Sequence, residues 1–238
     1  MNKKLIVVTG GAKGIGKEIA KLYLKNDYNV CIIDYDKEAI LKTDKLIDCY
    51  YGDVSDEKKM EIVFDSIYKK YGRLDILINN AGRQNVSSLD ELSAANFKEI
   101  VNNNLNGVFI CSKFALKYMK EKGKILNILS VHHFKPRLNK YHYDASKAAI
   151  NMLTKEMALE VASKGITINS LSFGAVYTDM NSDWSGDSKE VLKTISKVPL
   201  RIIFESEQIA LFAKNILDYF ADYTTGSDFV IDGGRSLV

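Results

Sequence analysis

The sequence predicts an α/β fold in one domain, a doubly wound sandwich whose seven-stranded sheet is mostly parallel. Three observations favour this fold class. Short apolar runs of strand length alternate with segments of helical period, a glycine-rich turn closes the first run, and no repeat or low-complexity linker divides the 238 residues. Parallel neighbours need crossover connections, which the intervening helices supply. A chain of this length suits one sizeable domain, so we expect residues 1–238 to form a single unit.

The predicted strands are continuous apolar runs, as expected of strands that are buried on both faces. The first run, L-I-V-V at residues 5–8, leads directly into Gly10 and Gly11. The predicted strands cover residues 5–8, 30–33, 47–51, 76–78, 125–129, 167–173 and 229–231.

The predicted helices carry apolar residues three or four positions apart, which places them on one helix face. Residues 57–71 are typical, with Met60, Val63, Phe64 and Ile67 at this spacing. The helices cover residues 15–25, 57–71, about 103–122, 143–164 and 207–221, with a short helical stretch after the second strand and a variable segment before residue 207.

Composition excludes several classes of function. Thirty-three basic and 30 acidic residues give a net charge of +3, and the basic residues are scattered rather than gathered in one block, which argues against nucleic-acid binding. No apolar stretch approaches the roughly 18 residues of a membrane span, and residues 5–8 are too short for the core of a signal peptide. Three widely spaced cysteines, without a C-x-x-C motif, are expected to be reduced. These features predict a cytoplasmic protein that binds neither nucleic acid nor a membrane.

The turn after the first strand reads T-G-G-A-K-G-I-G over residues 9–16. Glycines there allow the backbone to approach a pyrophosphate, whose charge is stabilised by the following helix N-terminus. A tight strand-to-helix turn without a ligand is the simpler alternative, but the position after the first strand favours phosphate binding. Asp34, 18 residues beyond Gly16, can accept hydrogen bonds from the adenosine ribose and would repel the 2′-phosphate of NADP. NAD is therefore the predicted cofactor, although Lys13 within the turn keeps NADP open.

With further motifs, the chain resembles the short-chain dehydrogenase/reductase family over nearly its whole length. The turn matches T-G-x-x-x-G-x-G, Asp53-Val54 matches the family's D-V, residues 79–82 match N-N-A-G, and residues 232–234 match the closing D-G-G. The resemblance implies a Rossmann-type fold and a nicotinamide cofactor. It assigns cofactor binding to Thr9, Gly10, Lys13, Gly14, Ile15, Gly16, Asp34, Asp53, Val54, Asn80, Ala81, Gly82, Tyr143, Lys147, Gly174, Val176 and Thr178.

The family signature Y-x-x-x-K occurs at Tyr143 and Lys147, which lie four residues apart and so share one helix face. Ser130 lies 13 residues upstream, whereas a second Y-x-x-x-K at residues 118–122 has leucine at the equivalent position. Asn104 falls on the family's helix asparagine. The resemblance therefore implies the catalytic set Asn104, Ser130, Tyr143 and Lys147.

These residue types suit hydride-transfer chemistry. A free phenol has a pKa of about 10, so a base working near neutrality needs that pKa lowered. Lys147 and the charge of an oxidised nicotinamide both favour the phenolate, and Ser130 can donate a hydrogen bond to the substrate oxygen. The resemblance adds a contact of Lys147 with the nicotinamide ribose and a water held by Asn104. We predict reversible oxidation of a secondary alcohol or hemiacetal, with hydride moving to NAD.

The predicted substrate contacts are Ser130, His132 and Tyr143. His132, two residues after Ser130, together with Thr178 and Asn181, resembles the glucose 1-dehydrogenase branch of the family, which implies a sugar. The three histidines of the chain are equally well read as surface or pocket-wall groups. No spacing between them and acidic residues supports a metal site, so none is predicted.

A lid near residues 178–200 is expected to cap the substrate. It carries the single tryptophan, Trp184, together with Val191, Leu192 and Ile195, and an apolar lid equally suits a steroid or 3-oxoacyl ketoreductase. A non-catalytic regulator that senses the dinucleotide is a further alternative, although a pure sensor does not need the complete Asn-Ser-Tyr-Lys set. The resemblance also implies a homotetramer or homodimer, formed through helices 103–122 and 143–164.

Overall fold

Seven parallel strands form one sheet in the order β3-β2-β1-β4-β5-β6-β7. The computed structural model describes residues 3–178, 180 and 185–238, so Asn181 and Trp184 lie outside the described residues. The strand order reverses between β1 and β4, as in doubly wound folds. The predicted fold class is therefore confirmed. The strands are β1 Leu5–Thr9, β2 Asn29–Asp34, β3 Asp48–Tyr51, β4 Leu74–Asn79, β5 Met119–Ile128, β6 Thr167–Phe173 and β7 Asp228–Ile231.

Helices cover both faces of this sheet. Because side chains alternate along a strand, Ile6 and Val8 of β1 belong to one core cluster and Leu5 and Val7 to the other. Among the described residues, no helix is both long enough and apolar enough to cross a membrane. The α-helices are α1 Gly14–Lys25, α2 Lys37–Leu41, α3 Glu57–Tyr71, α4 Ala94–Val101, α5 Gly107–Tyr118, α6 Tyr141–Val161, α7 Ser188–Ser196 and α8 Ser206–Asn215.

The first core cluster lies between the sheet and the pair α1 and α8, which contact each other closely. The second lies between the sheet and α3 and α5, where Phe64 and Phe114 stack with ring centroids 6.4 Å apart. Burial on both faces explains why most strands can be recognised in the sequence as apolar runs.

The helix predicted over residues 103–122 is wrong at both ends. The helical segment begins at Ala94, where the Ser93 hydroxyl accepts a hydrogen bond from the Asn96 amide. It passes through a π-helical turn at Asn102–Asn106 and ends at Tyr118, after which Met119 starts β5. Met119 pairs with Leu74 of β4, the ladder is irregular over the polar run that follows, and the Lys122 amide donates to the Gly165 carbonyl at 2.8 Å.

The segment expected to be variable before residue 207 contains α7. Its N-terminus is capped by Asp187, whose carboxylate accepts a hydrogen bond from the Lys189 amide at 2.8 Å. Capping of this kind satisfies an amide that has no partner within the helix.

A buried polar network ties the middle of the sheet to α5 and α6. The Asn79 side-chain amide donates to the Ser112 hydroxyl at 3.0 Å and to the Asn127 carbonyl oxygen at 2.8 Å, and the Asn127 amide donates to the Thr154 hydroxyl at 2.8 Å. All four side chains are buried. Such a network stabilises a fold only while its members remain paired.

We expect Asn127→Ala to lower the free energy of unfolding by about 1–3 kcal/mol, because the substitution removes a buried acceptor of Asn79 and a buried donor to Thr154. Urea denaturation monitored by circular dichroism measures this change. Asn26→Ala, at the exposed end of α1, is the control and should cost less than about 1 kcal/mol. Equal losses for the two variants would show that the network does not stabilise the fold.

Candidate active site

A cavity of about 800 Å³ opens at the carboxyl ends of the strands, where the strand order reverses. The turn after β1, the N-N-A-G segment after β4, the segment after β5 and the N-terminal part of α6 all contribute to its wall. Ligands of open α/β sheets bind at this position.

The glycine turn is shaped as a cradle for an anion. Gly10 and Gly14 have φ of +61° and +50°, a region that residues with a side chain rarely adopt. A Cβ atom on Gly16 would lie 2.2 Å from the Gly10 carbonyl oxygen. Lys13, at the N-terminus of α1, caps no amide of the helix with its side chain, so the first amides of α1 keep their donors for a ligand. These residues fit a pyrophosphate.

The Thr9 hydroxyl joins the glycine turn to the N-N-A-G segment. It accepts hydrogen bonds from the Asn80 and Ala81 amides, both at 3.0 Å. In return, the Asn80 side chain donates to the carbonyl oxygens of Thr9 at 3.1 Å and Gly10 at 3.0 Å. Thr9 and Gly16 do not line the cavity, and their contacts instead hold its wall.

The other residues assigned to the cofactor line one continuous wall of the cavity. At the end of β2 the carboxylate of Asp34 accepts hydrogen bonds from the Ala12 and Asp36 amides, both at 3.0 Å. Lys13 places its ammonium 2.6 Å from the Asp36 carboxylate. The lining residues are Gly10, Lys13, Gly14, Ile15, Asp34, Asp53, Val54, Asn80, Ala81, Gly82, Tyr143, Lys147, Gly174, Val176 and Thr178.

Ser130, Tyr143 and Lys147 lie together in the lining of the same cavity. Ser130 lies two residues after the end of β5 and lowers the pKa of the Tyr143 phenol, with which it shares the cavity lining. Lys147, one turn further along α6, donates to the Ile128 carbonyl oxygen at 2.8 Å and lies 5.6 Å from the centroid of the Tyr143 ring. The structure therefore brings three of the four residues of the predicted catalytic set together at the cavity.

Asn104, the fourth member, lies in the π-helical turn and does not line the cavity. The side-chain oxygen of Asn104 accepts a hydrogen bond from the Arg83 backbone amide at 2.8 Å. Its side-chain nitrogen donates to the Arg83 backbone carbonyl at 3.0 Å and to the Ser146 hydroxyl at 3.0 Å. Single π-helical turns within helices are frequent at functional sites. Here the turn places a fully buried side chain against the loop that carries N-N-A-G.

Burial governs the ionisation of the catalytic pair. It raises the pKa of Tyr143 to about 12; the hydrogen bond from Ser130 lowers this pKa, and the charge of Asp144 raises it. Burial also lowers the pKa of Lys147 to about 8. In the protein without a ligand, desolvation thus disfavours the charged form of each group.

Only His132 of the three histidines lines the cavity. Its Nδ1 is 2.9 Å from the Lys135 carbonyl oxygen, and burial lowers its pKa. His133 contacts Asp228 at 2.8 Å on the far side of the sheet, and His142 is buried against Asn85. Among the described residues, no group of three or more His, Cys, Asp or Glu is arranged to hold a metal.

Polar side chains of α7, and of Lys197 directly after it, face the cavity. Glu190, Lys193, Thr194 and Lys197 line it. The apolar side chains singled out in the sequence, Val191, Leu192 and Ile195, do not line the cavity, whereas Met180 of the same segment does.

Several residues of the substrate end are missed by sequence reasoning. Lys140 is the clearest, since it is buried and donates to the Gln84 side chain at 2.7 Å, while Gln84 donates to the Met180 carbonyl at 2.8 Å. A lysine in a polar segment carries no sequence signal for burial. Lys140 does not itself line the cavity; missed residues that do line it include Asn96, Arg137 and Arg235.

The sequence of this chain is similar to those of several known proteins. A model of the short chain dehydrogenase family matches residues 4–189. Glucose 1-dehydrogenase 2 of Bacillus subtilis is 33% identical, with 98% of this chain and 95% of that protein covered. 3beta-hydroxysteroid dehydrogenase 1 of Eggerthella lenta is 32% identical, with 98% and 94% covered.

Solved structures agree. ElxO with NADP bound has a TM-score of 0.90 and 33% identity, with 99% of this chain and 100% of that chain covered. The chain belongs to the short-chain dehydrogenase/reductase family of oxidoreductases. The predicted family is therefore confirmed, and so is its resemblance to a glucose dehydrogenase.

We expect Thr9→Val, which keeps the shape of the side chain but removes the hydroxyl, to destabilise the protein by about 1–3 kcal/mol because two amides lose their acceptor. Affinity for ADP-ribose, measured by calorimetry, should fall as the two loops separate. Thr43→Val is the control, since the Thr43 hydroxyl donates to the Ala39 carbonyl away from the cavity. Unchanged ADP-ribose affinity in Thr9→Val would show that this link does not shape the cavity.

Proposed function

We propose that the protein is an NAD-dependent dehydrogenase that oxidises a secondary alcohol or hemiacetal of a small polar substrate, with glucose or a related sugar as the first candidate. The observation that carries the reaction type is the convergence of Ser130, Tyr143 and Lys147 on the cavity that contains the glycine cradle. When bound, the nicotinamide accepts or donates the hydride. The protein's own residues bind, orient and exchange the proton.

In the proposed mechanism Tyr143 is the acid–base group. During oxidation its phenolate takes the hydroxyl proton of the substrate, and during reduction its phenol returns a proton to the carbonyl oxygen. Ser130 donates a hydrogen bond to the same substrate oxygen and stabilises the charge that develops there. The ammonium of Lys147 is held by a hydrogen bond to the Ile128 carbonyl oxygen. It stabilises the phenolate of Tyr143, which lies one turn earlier on the same face of α6.

Support for NAD comes from the acids at the adenosine end. Asp34 and Asp36 line the cavity there, and the ammonium of Lys13 is already paired with Asp36 at 2.6 Å. A 2′-phosphate would meet two carboxylates. ElxO has NADP bound, which makes the comparison of NAD with NADP a necessary part of the test.

Support for a polar substrate comes from the wall around the catalytic pair. His132, Gln84, Asn85 and Thr194 offer hydrogen-bonding groups, and hydroxyl-rich substrates are selected by such groups. The B. subtilis relative is a glucose 1-dehydrogenase by name. A steroid or 3-oxoacyl substrate is the second candidate, favoured by Met180 and Phe173 in the lining and by the named activity of the E. lenta relative.

We also propose a homodimer or homotetramer, on the family resemblance. Phe109 of α5 and Met152 of α6 are 46% and 57% exposed and suit an interface, whereas Phe114 is buried and belongs to the core. A cytoplasmic location stays a prediction.

With purified protein, NAD and NADP, reduced-cofactor absorbance over a panel of aldoses, polyols, hydroxysteroids and hydroxyacyl thioesters tests this function. We expect turnover of an aldose with NAD, and a loss of about 10²–10⁴-fold in kcat for Tyr143→Phe. Tyr118→Phe, in the second Y-x-x-x-K, should keep full activity, because the Tyr118 hydroxyl contacts Asp65 outside the cavity. Turnover of steroids alone would overturn the sugar substrate, and full activity of Tyr143→Phe would overturn the mechanism. Dinucleotide binding without any turnover would favour a sensor.

The pH dependence of oxidation should reveal the role of Lys147. Removing its positive charge in Lys147→Met raises the phenol pKa further, so the rate at saturating NAD should fall at pH 7 and recover as the pH approaches 10. The wild-type advantage should shrink above pH 8, because the pKa of Lys147 lies at about 8 and the ammonium loses its proton there. Lys147→Arg, which keeps the charge, should recover part of the rate at pH 7. A constant ratio between wild type and Lys147→Met from pH 6 to 10 would contradict this role.

A further inference from the structure

Arg83, the residue after N-N-A-G, spans the adenosine end of the cavity. Its guanidinium carbon lies 4.4 Å from the centroid of the Tyr35 ring, and its two terminal nitrogens lie 3.4 Å from the carboxylates of Asp53 and Glu99. All four residues line the same cavity. The side chain thus bridges the loops after β2, β3 and β4 and reaches α4.

The backbone of Arg83 is held independently of its side chain. Its amide and carbonyl group are both hydrogen-bonded to the Asn104 side chain, at 2.8 and 3.0 Å. A substitution of the side chain therefore leaves the anchored backbone in place, and the guanidinium can be tested separately from the catalytic asparagine.

Two features of the guanidinium point to a ligand. Its Nε is buried and has no hydrogen-bond partner among the described residues, which is rare for a buried donor in a folded protein. A planar cation also has two faces, and Tyr35 covers one of them. An aromatic ring is the natural occupant of the other face, because arginine stacks on π systems.

The charges nearby favour a neutral ring over a second phosphate. Asp53 and Glu99 already offset the charge of Arg83, and Asp34 and Asp36 add two more carboxylates to this end of the cavity. A dianion placed there would be repelled, whereas a neutral flat base would not be.

We propose that Arg83 is a specificity residue for the adenine of the cofactor, stacking its guanidinium on the base while Asp53 and Glu99 hold it in position. The inference rests on the proposed dinucleotide cofactor. Arg83 would select the adenine half of the ligand without taking part in the proton transfer at Tyr143.

Calorimetric titration with NAD, ADP-ribose, nicotinamide mononucleotide and NADP tests this role without any turnover. Arg83→Met should weaken NAD and ADP-ribose by about fivefold to tenfold, the range of one stacked cation–π contact, and leave nicotinamide mononucleotide unchanged. Arg83→Lys keeps the charge but not the planar face, and should also weaken both adenine ligands.

Arg73→Met is the matched control. Arg73 is similarly half-exposed and pairs with Asp75 at 2.6 Å, but it does not line the cavity, so its substitution should not change any of the four affinities. Melting temperatures of all variants separate lost binding from lost folding.

Three results would overturn the proposal. Unchanged affinity for NAD and ADP-ribose in folded Arg83→Met would exclude stacking. Selective loss of NADP affinity would show that Arg83 instead holds a phosphate. Equal loss for nicotinamide mononucleotide would indicate a distortion transmitted through Asn104. If the wild type binds none of the adenine ligands, both the proposed cofactor and this inference fail. If the wild type binds them and folded Arg83→Met binds them equally well, only this inference fails.

Discussion

The hydroxyl of Thr9 is the contact on which the cavity depends. It accepts two amides from the loop after β4, and the Asn80 side chain returns two hydrogen bonds to the turn after β1. β1 and β4 are neighbours in the sheet but distant in sequence, so their loops would otherwise be free to separate. These hydrogen bonds hold the glycine turn and the N-N-A-G segment together as one unit. The residues that pack against this unit are positioned by it.

A second chain of contacts extends the same unit to the catalytic residues. The backbone of Arg83 holds the side chain of Asn104, and Asn104 in turn donates to Ser146 on α6, one turn from Tyr143 and adjacent to Lys147. The π-helical turn at Asn102–Asn106 is what brings the asparagine inward. The dinucleotide cradle and the acid–base pair are therefore joined through hydrogen bonds between buried groups, which tolerate little displacement.

Sequence patterns predicted those parts of the molecule whose burial is decided locally. A strand covered on both faces is mostly apolar, so the sequence predicts β1 and β2 from their apolar runs, and it predicts the turn after β1 from its glycines. The patterns failed where a distant contact decides the structure. Met119 begins a strand because it pairs with Leu74 of β4, and the buried position of Lys140 depends on a loop 56 residues away. A helical period also does not say which face of α7 meets the cavity, where Lys193 and Thr194 line it.

Burial makes the ionisation of Tyr143 and Lys147 differ from that of a phenol and an amine in water. It raises the pKa of Tyr143 and lowers that of Lys147, so each group alone resists its charged form. Because opposite charges at short range stabilise each other most where water is excluded, a phenolate at Tyr143 is stabilised chiefly by a positive partner inside the cavity. For the proposed reaction, the base is thus formed only when a cation is beside it. The same desolvation that penalises the isolated groups ties proton abstraction to the presence of Lys147 in its ammonium form and of a positively charged ligand.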